Sequence, residues 1–196
     1  MTRTDRTKTI GLFSVIIAAA LMCFAPFVLA QSNIRINGTA VGIGPRRTGT
    51  RSFTLIVNSY TTKAQAVELN RALADGGQQG LLDSLTHLNA GRIQLGGGVG
   101  VRANAIIVEP WGDRGTHLTV FYERNISFYE RRYGSRSEDY KIGYAEIFLD
   151  SRGRGEGTMI PAAKVRLRSD GKWEVEDFGT FPVRLMGLRA SGVIPR

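Results

Sequence analysis

Residues 164–176 constrain the fold more tightly than any other stretch. Lys164-Val165-Arg166-Leu167-Arg168 and Lys172-Trp173-Glu174-Val175-Glu176 alternate charged and apolar residues on either side of Ser169-Asp170-Gly171. A period of two marks a half-buried strand. A three-residue loop with glycine in the left-handed position joins two such strands antiparallel. That register sets Arg168 against Lys172, Leu167 against Trp173, Arg166 against Glu174, Val165 against Val175 and Lys164 against Glu176. One face is then wholly apolar and the other carries two opposite-charge pairs. A two-residue Asp-Gly loop would oppose Leu167 to Glu174 and mix the faces, because a one-residue slip reverses every side chain. The three-residue loop is expected. Exposed ion pairs contribute only about 0–1 kcal/mol each, so the apolar pairs carry the hairpin.

The same pattern runs through most of the chain. Strands are expected near 51–60, 101–109, 116–124, 139–149, 156–168, 172–178 and 181–189, with turns rich in Gly, Asp and Pro. Residues 34–43 alternate only weakly and end in a loop at Gly42-Ile43-Gly44-Pro45. Pro161 has no amide hydrogen for a sheet ladder and marks an edge or bulge within its strand.

The period changes once. Thr62-Lys63-Ala64-Gln65 has the form of a capping box, in which hydroxyl and amide each satisfy a free backbone donor. Ala66, Leu69 and Leu73 follow at helical spacing, and Gly76-Gly77 supplies a left-handed stop. Leu81, Leu82, Leu85 and Leu88 share one face of a second helix over about 78–90, with His87 on its solvent face. The leucine stripe is read as core. The fold class is α+β: mainly antiparallel β, a curled sheet or partly closed barrel, with one inserted αα-hairpin covering an open side. Such an architecture holds ligands in its mouth.

Residues 1–30 read as a cleavable secretory signal peptide. Arg3, Arg6 and Lys8 precede an uncharged apolar run from Ile10 to Leu29, which closes on Val28-Leu29-Ala30. Pro26 and the polar Gln31-Ser32-Asn33 argue against a retained span, so no stable membrane span is expected after cleavage. Residues 31–196 then form a single β-rich domain, secreted or periplasmic. The only cysteine, Cys23, leaves with the signal. Disulfides, cysteine-ligated zinc and thiol catalysis are thereby excluded from the domain.

The whole chain carries a formal charge of +9. Beyond residue 30 its lysines are Lys63, Lys141, Lys164 and Lys172, and every other cation is arginine. Guanidinium pairs bidentately with carboxylate and phosphate and stacks on aromatic rings. Outside the cytoplasm the partners of such a surface are an anionic envelope lipid or polysaccharide, not nucleic acid. The segment 122–144 interleaves Tyr122, Phe128, Tyr129, Tyr133, Tyr140 and Tyr144 with Arg124, Arg131, Arg132, Arg136 and Lys141. If the domain has a ligand surface, it is expected at Tyr129, Arg131, Arg132, Tyr133 and Arg136, with Trp111 and Arg114 of the 110–115 loop.

Enzymatic signatures are scarce. The chain has two histidines, His87 and His117, which makes a histidine metal site poor; no metal or cofactor is expected. No serine stands in a Gly-x-Ser-x-Gly elbow. Gly96–Gly100 reads as a connection from the helices to the sheet and Gly153–Gly157 as a hairpin turn. Neither opens a helix or carries the Lys-Ser/Thr ending of a phosphate loop. His117 with Glu109 and Asp113 is the one conceivable acid–base group, provided that the strand ends bring their side chains into contact.

The run Asp139-Tyr140-Lys141-Ile142-Gly143-Tyr144-Ala145-Glu146-Ile147-Phe148-Leu149-Asp150, followed by Gly155–Val165, resembles a group of uncharacterised exported bacterial proteins. Leu88–Ile93 and Phe181–Leu185 are similar to that group as well. The resemblance implies a bacterial extracytoplasmic protein and transfers no catalytic residue. The function expected is non-enzymatic binding of an anionic or carbohydrate-like ligand or an envelope component. The alternatives are a carboxylate/His enzyme acting outside the cytoplasm and a structural envelope protein.

Overall fold

Eight antiparallel strands close into a barrel in the computed structural model, which describes residues 34–42, 49–113, 115–124, 140–168, 173–177, 182–192 and 194. The strands are β1 (Ile34–Gly42), β2 (Thr50–Val57), β3 (Gly91–Leu95), β4 (Val101–Trp111), β5 (Gly115–Glu123), β6 (Ile142–Leu149), β7 (Arg154–Leu167), β8 (Trp173–Asp177) and β9 (Val183–Ser191). Their order is β6-β5-β4-β3-β2-β1-β9-β7-β8, and a further pairing of β6 with β7 closes the ring, leaving β8 outside it. The weakly alternating residues 34–42 form a full strand bonded to both β2 and β9. Two of its outward positions are Asn37 and Thr39, which blurs the hydrophobic pattern without weakening the ladder.

Inward-facing side chains fill the barrel. Ile36, Phe53, Leu55, Ile93, Ile106, Leu118, Val120, Tyr122, Ile147, Leu149, Met159 and Leu185 belong to one buried cluster. An eight-stranded barrel is just wide enough for side chains to occupy its interior. Gly143 lies opposite Tyr122, and a Cβ there would lie within 2.0 Å of the Tyr122 ring. Only glycine lets that ring lie flat across its neighbour.

The expected αα-hairpin takes the form of one helical element, α1 (Lys63–Thr86), kinked at Gly77 (φ 58°, ψ −148°). Its N-terminus has the expected capping box, with Thr62 and Gln65 satisfying each other's backbone amides. The barrel has no open side for α1 to cover. Instead Leu69, Leu73, Leu81 and Leu85 pack on the outer face of the barrel, against Ala105, Phe121, Tyr144, Ala163 and Val165. Just past the kink, Gln78 accepts from the Val165 amide and donates to the Ala163 carbonyl. The kink thus presents an amide side chain to the β7 backbone.

The β7–β8 pair has the register derived above: Lys164↔Glu176, Val165↔Val175, Arg166↔Glu174 and Leu167↔Trp173. Its connecting loop lies outside the described residues. The apolar face joins the cluster beneath α1, and on the charged face Arg166 pairs with Glu176 at 3.3 Å. Pro161 sits at a bulge, where the pairing with β6 shifts between Tyr144↔Ile160 and Ile142↔Ala163. There β7 changes neighbours, pairing with β9 through Met159 and with β8 from Ala163.

Two glycine segments differ from the expectation. Gly96–Gly100 joins β3 to β4 within the sheet, not the helices to the sheet. The β6–β7 turn is residues 150–153, tied by the Asp150 carboxylate accepting from the amides of Arg152 and Arg154. Gly155 and Gly157 lie inside β7, where a Cβ would strike the backbone of β6.

Candidate functional site

The outer face of β4, β5 and β6 carries a histidine between two glutamates. Strand register creates the cluster: Glu109 on β4 lies directly across from His117 on β5, and His117 across from Phe148 on β6. Glu146 lies two residues from Phe148 on the same face, diagonal to His117 and level with Thr119. Glu109 Oε2 is 3.3 Å from His117 Nδ1, and Glu146 Oε1 is 3.7 Å from Nε2. The imidazole is stacked on Phe148, with ring centres 4.6 Å apart and planes 6° apart. Both ring edges face a carboxylate, and one ring face is covered by Phe148.

Tyr144 extends the group by donating its hydroxyl to Glu146 Oε1 at 2.6 Å. The cavity above these residues has a volume of about 300 Å³, closed on one side by Ala66 and Asn70 of α1 and on another by Trp173 of β8. Ile107 and Thr119 complete its lining. Trp173 donates its indole N–H to Asn70 Oδ1 and packs edge-on against Phe121 at 4.6 Å. The hairpin thereby fixes one wall of the cavity to the helix.

The electrostatics follow from these contacts. Glu146 is the largest influence on His117 and raises its pKa above the ordinary histidine value, against partial burial; Glu109 adds to the rise. Glu109 is the nearer carboxylate, but at 62% exposed against 38% for Glu146 it is the better screened by water. In return His117 holds the Glu146 carboxyl below the usual range, helped by the Tyr144 hydroxyl. Burial, and after it the Glu146 carboxylate, raise the Tyr144 phenol. At neutral pH the site therefore contains an ionised Glu146, a neutral Tyr144 phenol and a histidine biased toward its charged form.

The arrangement is chemically a rack of acceptors. His117 occupies Glu109 Oε2, while His117 and Tyr144 both approach Glu146 Oε1. Among the described residues no donor meets the second oxygen of either carboxylate. The two carboxylates sit on opposite edges of one ring and do not converge on a point. Among the described residues, no group of three or more His, Cys, Asp or Glu side chains is placed to hold a metal ion.

Of the ligand residues expected from sequence, Trp111 alone is described. It is 48% exposed and contacts Phe148 with ring centres 5.3 Å apart, bordering the cluster without lining the cavity. Arg114, Tyr129, Arg131, Arg132, Tyr133 and Arg136 lie outside the described residues. The tyrosines flanking that segment do not share one surface: Tyr122 points into the barrel and Tyr144 lies on its outer face. The expected contact of Glu109 with His117 is present, whereas Asp113 stands exposed in the β4–β5 turn and Glu146 takes its place. The expected mouth of the barrel is filled, and the cavity lies outside the strand ring. Sequence reasoning missed Glu146, Thr119, Asn70 and Trp173. Glu146 did leave a signal, as the one acid in the apolar run Ile142–Leu149.

Among the described residues no helix is long and apolar enough to cross a membrane. Comparison with protein-family models, with curated proteins and with solved structures gave no match to this chain, so the reading of the site rests on its own geometry.

Proposed function

We propose that the domain is a non-enzymatic binding module that takes a carbohydrate-like, hydroxyl-rich ligand in the cavity between α1, β8 and the outer face of β4–β6. The observation that carries this reading is the set of acceptors held by His117. Glu109 and Glu146 each keep one oxygen for a ligand, with an indole as the adjoining wall. Polar groups placed around an aromatic surface are what a polyol needs, since its hydroxyls donate and its C–H faces pack on a ring. Among the described residues no lysine or arginine lines this cavity, which disfavours an anionic ligand there.

A carboxylate/His enzyme is the second reading, favoured by the 3.3 Å contact of Glu109 with His117. It is the weaker one. A general base must offer a nitrogen lone pair to substrate, and here each ring nitrogen faces a carboxylate. The exported address rests on the signal-like segment 1–30 and on the resemblance over 139–165, with the mature chain beginning at Gln31.

Saturation-transfer NMR against neutral methyl hexosides tests the binding reading. We expect transfer to at least one glycoside, its loss in Asn70→Ala and its retention in Trp111→Ala. Absence of transfer from every glycoside, or equal sensitivity to the two variants, overturns it.

A further inference from the structure

We infer that the preferred ligand carries a protonated amine beside its hydroxyls, the chemistry of a 2-amino sugar, with the ammonium seated against Glu146, the less exposed of the two carboxylates that flank His117. The inference rests on the binding reading above and adds the charge of the ligand.

The first argument is the imbalance of the cavity's hydrogen-bonding groups. The Tyr144 hydroxyl, His117 Nδ1 and the Trp173 indole are already directed at Glu146, Glu109 and Asn70. What remains toward the cavity among the described residues is one carboxylate oxygen of each glutamate, beside the neutral Thr119 hydroxyl and Asn70 amide. An ammonium group is three donors and no acceptor. Hydrogen bonds from a cation to carboxylate are roughly twice as strong as neutral ones.

The second argument is charge. The chain is strongly basic at +9, yet among the described residues the charged groups on this cavity are Glu109 from β4, His117 from β5 and Glu146 from β6. The helix contributes Ala66 and Asn70, and β8 contributes Trp173. With His117 protonated the described lining is net −1, and with it neutral net −2. An acidic cavity in a basic protein repels the anions that its outer surface attracts, and selects for a cation. Trp173 adds a ring on which a cation can rest.

Size is the third. At about 300 Å³ the cavity lies at the lower end of the range for ligand sites, about 300–1,000 Å³. It suits one ring-sized group, and the two carboxylates leave little of that group unaddressed.

Three methyl glycosides that differ only at C2 make the test: methyl β-glucosaminide, methyl N-acetyl-β-glucosaminide and methyl β-glucoside. Each is titrated at neutral pH into the full-length protein and into its Glu146→Gln and Glu109→Gln variants, following the Trp173 indole N–H by NMR. The amino glycoside is expected to bind about tenfold or more tightly than its two neutral analogues. Glu146→Gln should erase most of that advantage, and Glu109→Gln less of it. Equal affinity for all three overturns the ammonium inference while the carbohydrate reading stands. No binding of any of the three overturns both. A preference for the amine that survives undiminished in Glu146→Gln overturns the placement against that carboxylate. Retention of the wild-type indole resonance in each variant shows that the cavity wall is intact.

Discussion

The two faces of the same three strands make opposite use of their side chains. Inside the barrel, Ile106 on β4, Leu118 and Val120 on β5, and Ala145 and Ile147 on β6 pack into a continuous apolar filling. One residue along in each strand, on the outside, stand Glu109, His117, Thr119 and Glu146. Period-two alternation places these sets back to back, so a single backbone supports a closed core and an ionisable site. The inside must exclude water to hold the ring shut. The outside needs α1 and β8 only as a partial cover. The ionisable cluster accordingly stands on the face that folding can spare.

Replacing Phe53 with alanine gives the largest effect expected from that contrast. Phe53 is 1% exposed, and truncating a buried phenylalanine costs about 3–5 kcal/mol through lost transfer energy and the cavity left behind. Glu146→Gln, an isosteric change at a partly exposed position, should cost about 1 kcal/mol or less. Urea denaturation with equal m-values compares the two. A Glu146→Gln loss as large as that of Phe53→Ala would make the outer cluster a part of the core, and the contrast between the faces would collapse.

A smaller effect concerns proton binding. His117 is expected to titrate above the ordinary histidine value of about 6.5. Its raised folded-state pKa means that its contribution to stability is complete below the unfolded value and disappears as pH rises through the folded one. Glu146 has a lowered pKa, so its contribution is complete above the ordinary glutamate value and is lost as pH falls through the depressed one. The cluster is therefore at its best in mild acid, between these two limits. NMR titration of the His117 ring protons reads the shift directly. Glu146→Gln should reduce it more than Glu109→Gln, because the more exposed Glu109 is better screened. The reverse order would show that proximity, 3.3 against 3.7 Å, outweighs solvent screening here.

The inner face was legible in the sequence and the outer site mostly was not, for a physical reason. Alternation in 101–109, 116–124 and 139–149 marks which residues turn toward one another. The β7–β8 register could be derived residue by residue, because mixing its faces would leave charges against leucine. The bulge at Pro161 followed from its missing amide hydrogen. The outer site depends instead on which strands become neighbours across the ring and on the diagonal offset between them. Glu109 and His117 flank one turn, so their meeting could be anticipated. Glu146 meets His117 only through the β5–β6 register, across 28 intervening residues of which 125–139 lie outside the described set. Trp173 and Asn70, 103 residues apart, meet because β8 leaves the ring and folds over the first half of α1. Closure itself was partly hidden, since residues 34–42 alternate too weakly to read as the strand that joins β2 to β9.

The smallest expected effect lies on the β7–β8 hairpin, where the same two-faced logic recurs at the rim of the site. Its apolar face, Leu167 with Trp173 and Val165 with Val175, packs toward α1, while Arg166 and Glu176 pair across the solvent face at 3.3 Å. Both side chains are about half exposed or more, at 59% and 47%. Water and salt screen such a pair, and two long side chains lose rotamer freedom in forming it. A double-mutant cycle of Arg166→Ala and Glu176→Ala should give a coupling of about 0.5 kcal/mol or less, shrinking further in 1 M salt. Glu176 also accepts a hydrogen bond from the Tyr140 hydroxyl at 3.0 Å, so Glu176→Ala alone should cost slightly more than Arg166→Ala. Valine-to-alanine at Val175, on the apolar face, should exceed both charge deletions, since it removes partly buried methyl groups packed beneath α1. If the charged pair proved the stronger, the hairpin would be held by its outer face. The wall that Trp173 gives the cavity would then loosen with ionic strength, and ligand affinity would carry a salt dependence that apolar anchoring does not produce.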